Sequence, residues 1–230
     1  MNDNDIQPTR TEGKKAALDN LLYFAIRYKN LISGALILIL IGGAAVFFWT
    51  ERQASREKEA APILAAAAVA FDRGDFQKAI NGGEKEPGLK TIAEQYNGTP
   101  SGEMAELLLA NAYYAIGKPE DALKAFDAAS PGSPDLAAAA RAGKGACQND
   151  LRHYEDAAKS FLSASDKAEN NALKAQYLMA SADSHLAAGD AEKAAEIFHQ
   201  VVDRYPGSSG AGAAQQALWK ISGMQEVSKK

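Results

Sequence analysis

The sequence feature that most constrains the fold is an uncharged apolar run near the N-terminus. Residues 31–49 read LISGALILILIGGAAVFFW and contain no Asp, Glu, Lys or Arg. At about 1.5 Å per residue, a helix of this length nearly spans the hydrocarbon core of a bilayer, which is roughly 30 Å thick. Because backbone polar groups in lipid must be satisfied within the chain, the run predicts one transmembrane helix.

The flanks of this run favour a retained anchor over a cleaved signal peptide. A signal peptide has a short basic leader and a small-residue cleavage site, whereas thirty residues precede this run and Phe47, Phe48 and Trp49 close it. Within twenty residues of the run, four basic residues precede it and three follow it. This small excess predicts that the N-terminal tail lies inside and the rest of the chain outside.

Alanine dominates the chain beyond the anchor. Of 47 Ala residues, 41 lie from Glu51 onward, and 8% of all residues are aromatic. Ala is the strongest helix former, so this composition favours packed helices over a β-sandwich or barrel. The single cysteine, Cys147, excludes an intramolecular disulfide and a four-thiolate zinc site. A pI near 5.5 gives no general attraction to nucleic acid.

A repeat organises the Ala-rich part. Similar blocks start near residues 103, 138 and 175, close to the period of about 34 residues of tetratricopeptide (TPR) repeats. In each block a small residue is followed by Ala and then by Phe at fixed spacing. The small residues let the two helices of a hairpin approach closely, while Phe126, Phe161 and Phe198 fill the space between hairpins.

These patterns predict an all-α protein with a single N-terminal transmembrane helix followed by a TPR-type helical-hairpin solenoid. The first repeat is expected to be degenerate because Gly82, Gly83 and Pro87 forbid a regular second helix. The predicted order is a cytoplasmic tail (1–30), the transmembrane helix (31–49), a juxtamembrane linker (50–59), a degenerate first unit (60–102), three TPR units (103–136, 138–171, 175–208), a capping helix (209–222) and a tail (223–230).

A family resemblance rests on this organisation and on two stretches. GDFQKAI (74–80) and GEMAELLLANAYYAIGKPEDALKAF (102–126), together with the anchor and the degenerate first repeat, resemble the YfgM-like ancillary subunits of the bacterial SecYEG translocon. The resemblance implies a single-pass protein of the inner membrane with a periplasmic C-terminal domain. It also implies partners, namely the SecYEG translocon and a periplasmic chaperone held near it.

A second resemblance leaves an alternative open. The stretch HQVVDRYPGSSGAGAAQQAL (199–218) is similar to the ends of TPR proteins of the Tol-Pal and outer-membrane assembly systems. The alternative function is therefore a self-associating structural protein of cell-envelope assembly, a homo-oligomer. Gly34, Gly42 and Gly43 offer small faces for helix pairing in the membrane, although they do not form a GxxxG motif.

Motifs for catalysis are missing from the sequence. It contains no P-loop, GxGxxG, HExxH, GxSxG or CxxC motif. His153, His185 and His199 lie on different predicted helices without i, i+4 partners, which disfavours a metal site. Cys147 is predicted to be a small buried residue of a first helix. The sequence thus predicts no enzyme, no cofactor and no metal.

The predicted site is a groove that binds proteins. In TPR arrays the first helices of successive units line the concave face. The residues predicted to face it are Met104, Leu107, Asn111, Tyr114, Asn149, Asp150, Gln176, Met179 and Asp183. None is Lys or Arg, which argues against a basic clamp for acidic C-termini. The expected partners are therefore protein segments of mixed polarity, with membrane lipid around residues 31–49 and no nucleic acid.

Overall fold

The computed structural model describes residue 23, residues 26–84 and residues 86–228. Every regular element in that part of the chain is an α-helix, which confirms the predicted fold class. The helices are α1 (Lys29–Asp72), α2 (Phe76–Asn81), α3 (Leu89–Gln95), α4 (Pro100–Ala115), α5 (Pro119–Ala128), α6 (Pro134–Asp150), α7 (Tyr154–Lys167), α8 (Asn171–Ala187), α9 (Ala191–Arg204) and α10 (Ser209–Ser228). Most of the predicted cytoplasmic tail lies outside the described residues.

The chain divides into two compact units, residues 1–52 and 53–230. The first unit holds the apolar run; among the side chains described there, those of Leu38 and Phe48 are each 71% exposed. Helix α1 is long and apolar enough to cross a membrane by length and composition. This helix continues through residues 50–59, where a linker was expected. That segment, ERQASREKEA, has no Gly or Pro and is rich in helix formers, so nothing in it ends the helix.

The second unit is a row of helical hairpins. Its core is divided into clusters that consecutive hairpins share. The first cluster joins α1 to α4 around Ile92, the second joins α4 to α6 around Phe126, the third joins α6 to α8 around Tyr177, and the fourth joins α8 to α10 around Phe198. This arrangement is expected of repeats that contact their neighbours.

The spacing of small and aromatic residues has the predicted physical role. The alanines at the helix crossings are fully buried: Ala110, Ala122, Ala157, Ala182 and Ala194 are each 0% exposed. Phe126, Phe161 and Phe198 are 4%, 7% and 0% exposed. The ring of Phe126 lies directly over Gly143 of the next hairpin, where a Cβ would come within 2.3 Å of it. A larger residue at Gly143 would therefore displace the ring.

The four turns between the first and second helices of the hairpins share one geometry. The central residue has a positive φ in each: Gly74 (80°), Gly117 (71°), Arg152 (61°) and Gly189 (84°). The N–H of the next residue donates to the carbonyl five positions earlier at 2.8–3.0 Å. This is the hydrogen bond of a Schellman-type helix end. Arg152 thus occupies a conformation that its three counterparts fill with glycine.

The first helices begin three or four residues before the repeat blocks do, at Pro100, Pro134 and Asn171. The residues just before them are good N-caps. The side chain of Thr99 accepts a hydrogen bond from the N–H of Gly102, and that of Asn170 accepts from the N–H groups at the start of α8. The repeat blocks were defined by core positions and not by these caps. Each block therefore starts three or four residues after the first helix begins.

The second helix of the first hairpin is broken, as its glycines and proline predict. Helix α2 ends at Asn81 and α3 begins at Leu89. Between them Gly82 has φ 81°, and the N–H of Gly83 donates to the carbonyl of Glu86 at 2.8 Å. At the other end of the row, α10 runs to Ser228 and covers the last cluster. It therefore extends beyond the predicted capping segment into the predicted tail.

Candidate protein-binding surface

Two of the predicted groove residues meet across consecutive repeats. Tyr114 lies near the end of α4, and Asp150 is the last residue of α6, which packs against α4. The carboxylate of Asp150 lies close enough to the Tyr114 hydroxyl to interact with it electrostatically. Burial first, and then this interaction with Asp150, raise the pKa of Tyr114. The tyrosine remains 38% exposed, so a partner can contact its ring.

The other accessible residues extend this area along α4 and α8. Met104 and Asn111 are half-buried on α4, and the Asn111 amide donates to the carbonyl of Leu107 at 2.8 Å. Gln176 and Asp183 are exposed on α8, seven residues apart, and therefore share one face of that helix. We call the accessible set the first-helix surface; it comprises Met104, Asn111, Tyr114, Asn149, Asp150, Gln176 and Asp183.

The charge of the first-helix surface comes from Asp150 and Asp183. Partial desolvation raises the pKa of Asp183, although its side chain keeps contact with solvent. A hydrogen-bond donor or a cation on a ligand would stabilise the charged form of a carboxylate in this setting. The side-chain oxygen of Asn149, next to Asp150 in the chain, is buried and has no hydrogen-bond partner among the described residues.

Two predicted groove residues pack against neighbouring helices instead, and one of them, Leu107, lies in the core. Leu107 is 6% exposed and packs in the cluster that contains Ala140 and Cys147 of α6. The small side chain of Ala140 allows α6 to approach closely enough to cover Leu107, so the prediction that it faces a groove is corrected. Met179 is half-buried and packs against Gly210 of α10, where a Cβ would lie 3.0 Å from the Met179 Cγ.

Cys147 lies directly beneath this surface. It is a free, fully buried cysteine of α6, as the sequence predicts. Burial and, to a smaller extent, the charge of Asp150 raise the pKa of its thiol from 9.0 to about 11. The thiol is therefore protonated at neutral pH, the state in which cysteine is a poor nucleophile.

A polar cluster that the sequence analysis did not identify holds the start of α4. Gln53, Arg56 and Glu57 lie on one face of α1, and all three bind the segment that runs from the end of α3 to the start of α4. Gln53 donates to the carbonyl of Gly98 at 2.7 Å, and Arg56 donates to the carbonyls of Gln95 and Asn97. Glu57 accepts two hydrogen bonds from Ser101. The i, i+3, i+4 spacing of three polar residues was the available signal. We call these three residues the α1 clamp.

Comparison with known proteins agrees with the repeat architecture. The model of the tetratricopeptide repeat-like domain family matches residues 23–218. The matched range covers the apolar run and every hairpin, and it ends within α10. A comparison with curated proteins gave no match. Domains of this type are generally non-catalytic scaffolds that bind protein partners.

Proposed function

The chain belongs to the tetratricopeptide repeat-like domain family, and from that premise we propose that it is a membrane-anchored scaffold that binds a protein partner on the first-helix surface. The observation that carries the proposal is the proximity of Tyr114 and Asp150. These residues come from consecutive repeats and are both exposed, so they form one accessible area across two hairpins. A segment that lies along the first helices would contact both.

The chemistry of the surface defines the kind of segment it binds. The Tyr114 ring supplies a large amphipathic contact of the kind that often dominates interface energies. Asp150 and Asp183 favour donors and basic side chains. The partner segment therefore combines an apolar side chain for Tyr114 with Lys, Arg or amide groups.

The finer form of the proposal concerns location and partner. The chain is anchored in a bacterial inner membrane with its N-terminus in the cytoplasm and its repeats in the periplasm. There it holds a periplasmic chaperone near the SecYEG translocon. The support is the apolar run, the excess of basic residues before it and the resemblance to YfgM-like subunits.

Crosslinking in intact cells tests the proposal. A photoreactive amino acid is placed at Tyr114, on the first-helix surface, and at Lys124, an exposed residue of α5, as a matched control. We expect discrete protein adducts from position 114 that are weak or missing from position 124. Equal adducts from both positions would contradict binding on the first-helix surface. Adducts that contain neither a chaperone nor a translocon subunit would contradict the finer form alone.

Self-association is a second candidate, favoured by an observation in the anchor. No described atom lies within 4 Å of the position that a Cβ would occupy at Gly34, Gly42 or Gly43. These positions therefore leave small faces on which a second α1 could pack. Adducts of twice the chain mass from a probe at Gly42 would support this candidate, and a monomeric chain in detergent and in membranes would exclude it.

A further inference from the structure

A basic cavity lies between α5, α6 and α7, away from the first-helix surface. Its volume is about 500 Å³, within the range of roughly 300–1,000 Å³ typical of ligand sites. Four cationic residues line it, two from α6 and two from α7: Arg141, Lys144, Lys159 and Lys167. Asp127 is the one acidic residue among the described residues that line it. This is a concentration of positive charge in a part of the chain, residues 51–230, that has 20 basic and 25 acidic residues.

The cavity lies beside the end of a short helix, α5. Helix α5 has 10 residues, whereas its counterparts α7 and α9 have 14 each. The missing four residues amount to about one helical turn. A loop that contains Ser130 and Pro131 follows α5 and forms one wall of the cavity. Phe126 forms part of the lining, with its ring over Gly143.

The cations of the cavity are not fully neutralised within the chain. Lys144 pairs with Asp127, and Lys159 pairs with Asp156 at 3.2 Å. Among the described residues, no carboxylate forms an ion pair with Arg141 or Lys167. The Arg141 guanidinium donates to the carbonyl of Ala137 at 3.2 Å, which leaves most of its donors available.

We propose that this cavity is a second docking site, which binds an acidic segment of a protein partner. Lys159 and Lys167 are eight residues apart on α7, which is about 12 Å along the helix. Four residues of an extended chain cover about 13 Å, so carboxylates on one short segment can reach both lysines.

The remaining lining suits the same ligand. Ser130 and Ser163 supply hydroxyl groups that can donate to carboxylates, while Phe126 and Pro131 supply apolar contacts for the side chains between them. Arg141 can bind a carboxylate through two parallel hydrogen bonds. The site goes beyond the proposed function because its charge is opposite to that of the first-helix surface. The two sites select segments of opposite charge.

A binding experiment on the full chain in neutral detergent tests this proposal. The probe is a fluorescein-labelled peptide that alternates Glu with Leu, and binding is followed by fluorescence anisotropy. We expect the double variant Arg141→Gln/Lys167→Gln to weaken binding about tenfold, as loss of roughly 1.4 kcal/mol implies. The matched control Lys124→Gln/Lys220→Gln, which removes the same charge from exposed positions outside the cavity, leaves the affinity unchanged.

Four outcomes would overturn the proposal. The first is no binding by the unaltered chain, and the second is an equal loss in both double variants, which indicates unspecific attraction. The third is displacement of the peptide by an equal concentration of inorganic phosphate, which indicates a small-anion site. The fourth is a dimer in light scattering that Arg141→Gln/Lys167→Gln abolishes, which indicates that a second copy occupies the cavity. A Tyr114→Ala variant, altered on the first-helix surface, keeps full peptide affinity and so separates this test from that of the proposed function.

Discussion

The carboxylate of Glu57 accepts two hydrogen bonds from Ser101, one from the backbone N–H at 2.9 Å and one from the hydroxyl at 2.7 Å. These bonds complete the N-terminus of α4. Pro100 has no N–H, the N–H of Gly102 donates to the Thr99 hydroxyl, and that of Glu103 donates to the Thr99 carbonyl. The donors at the start of α4 are thereby satisfied, one of them by a residue 44 positions away.

Loss of this contact is expected to destabilise the repeat unit. In Glu57→Ala the N–H of Ser101, a residue that is 5% exposed, loses its partner. We expect the free energy of unfolding to fall by about 1–2 kcal/mol, the usual cost of removing a cap or leaving a buried donor unpaired. Urea unfolding of the detergent-solubilised chain, followed by circular dichroism, measures it.

Glu59→Ala is the control for the Glu57 variant. Glu59 is exposed, two residues further along the same helix, and the substitution has the same effect on helix propensity. Its unfolding midpoint should stay close to that of the unaltered chain. If both variants lose the same stability, the hydrogen bonds to Ser101 do not contribute as described.

The α1 clamp shows where sequence analysis reaches its limit. Gln53, Arg56 and Glu57 are polar residues of a segment that was predicted to be a linker, and their partners lie 39 to 45 positions away. The alanine and phenylalanine positions could be predicted because their spacing reflects packing within a hairpin and against the next one. A contact between a helix face and a distant loop has no such local period.

The candidate site was predictable to a similar extent. Tyr114 and Asp150 were assigned to one surface because repeat positions recur, and the structure brings them together. Leu107 was misassigned because its burial depends on how closely α6 approaches α4. The cavity around Arg141 was missed because it depends on where α5 ends, and the boundaries of a helix are the least predictable part of it.

Arg152→Gly is expected to stabilise the protein. Arg152 has φ 61° in an exposed turn, a conformation that costs a non-glycine residue about 1–2 kcal/mol. Glycine removes this strain, but it also increases the entropy of the unfolded chain. That entropy cancels roughly 0.5–1 kcal/mol of the stability gained. The net expectation is a gain of about 0.5–1 kcal/mol in urea unfolding.

Gly117→Ala is the matched reverse substitution. Gly117 occupies the same turn position with φ 71°, and no described atom lies within 4 Å of its added Cβ. Any loss of stability therefore comes from the backbone conformation, and we expect about 1 kcal/mol or more. Loss of stability in Arg152→Gly would show that the arginine side chain contributes more than its strained backbone costs.

A pair of Gly→Ala substitutions tests how the hairpins pack. In Gly143→Ala the new Cβ would lie 2.3 Å from the Phe126 ring, so the ring must be displaced or α5 and α6 must move apart. We expect a loss of about 1–3 kcal/mol, as for other overpacked cores. In Gly212→Ala, on α10, no described atom lies within 4 Å, and the better helix propensity of Ala should add up to about 1 kcal/mol. Unfolding curves that shift in the same direction for both variants would contradict this assignment of contacts.

The buried thiol of Cys147 predicts a specific alkaline instability. Its pKa is raised from 9.0 to about 11 in the folded chain, chiefly by burial, so the folded state holds the proton more tightly than the unfolded state. The stability linked to this proton is complete below 9.0 and is lost as the pH rises through about 11. The urea midpoint should therefore fall more steeply with pH in the unaltered chain than in Cys147→Ala, which keeps the contribution of Tyr177 and the larger causes of the Tyr114 shift. Parallel pH dependence in the two proteins would show that the thiol is accessible to solvent.

The same burial predicts slow alkylation of Cys147. Iodoacetamide should modify the folded chain much more slowly than the urea-unfolded chain near neutral pH. Equally rapid modification of the folded and the unfolded chain would show that the thiol is accessible to the reagent.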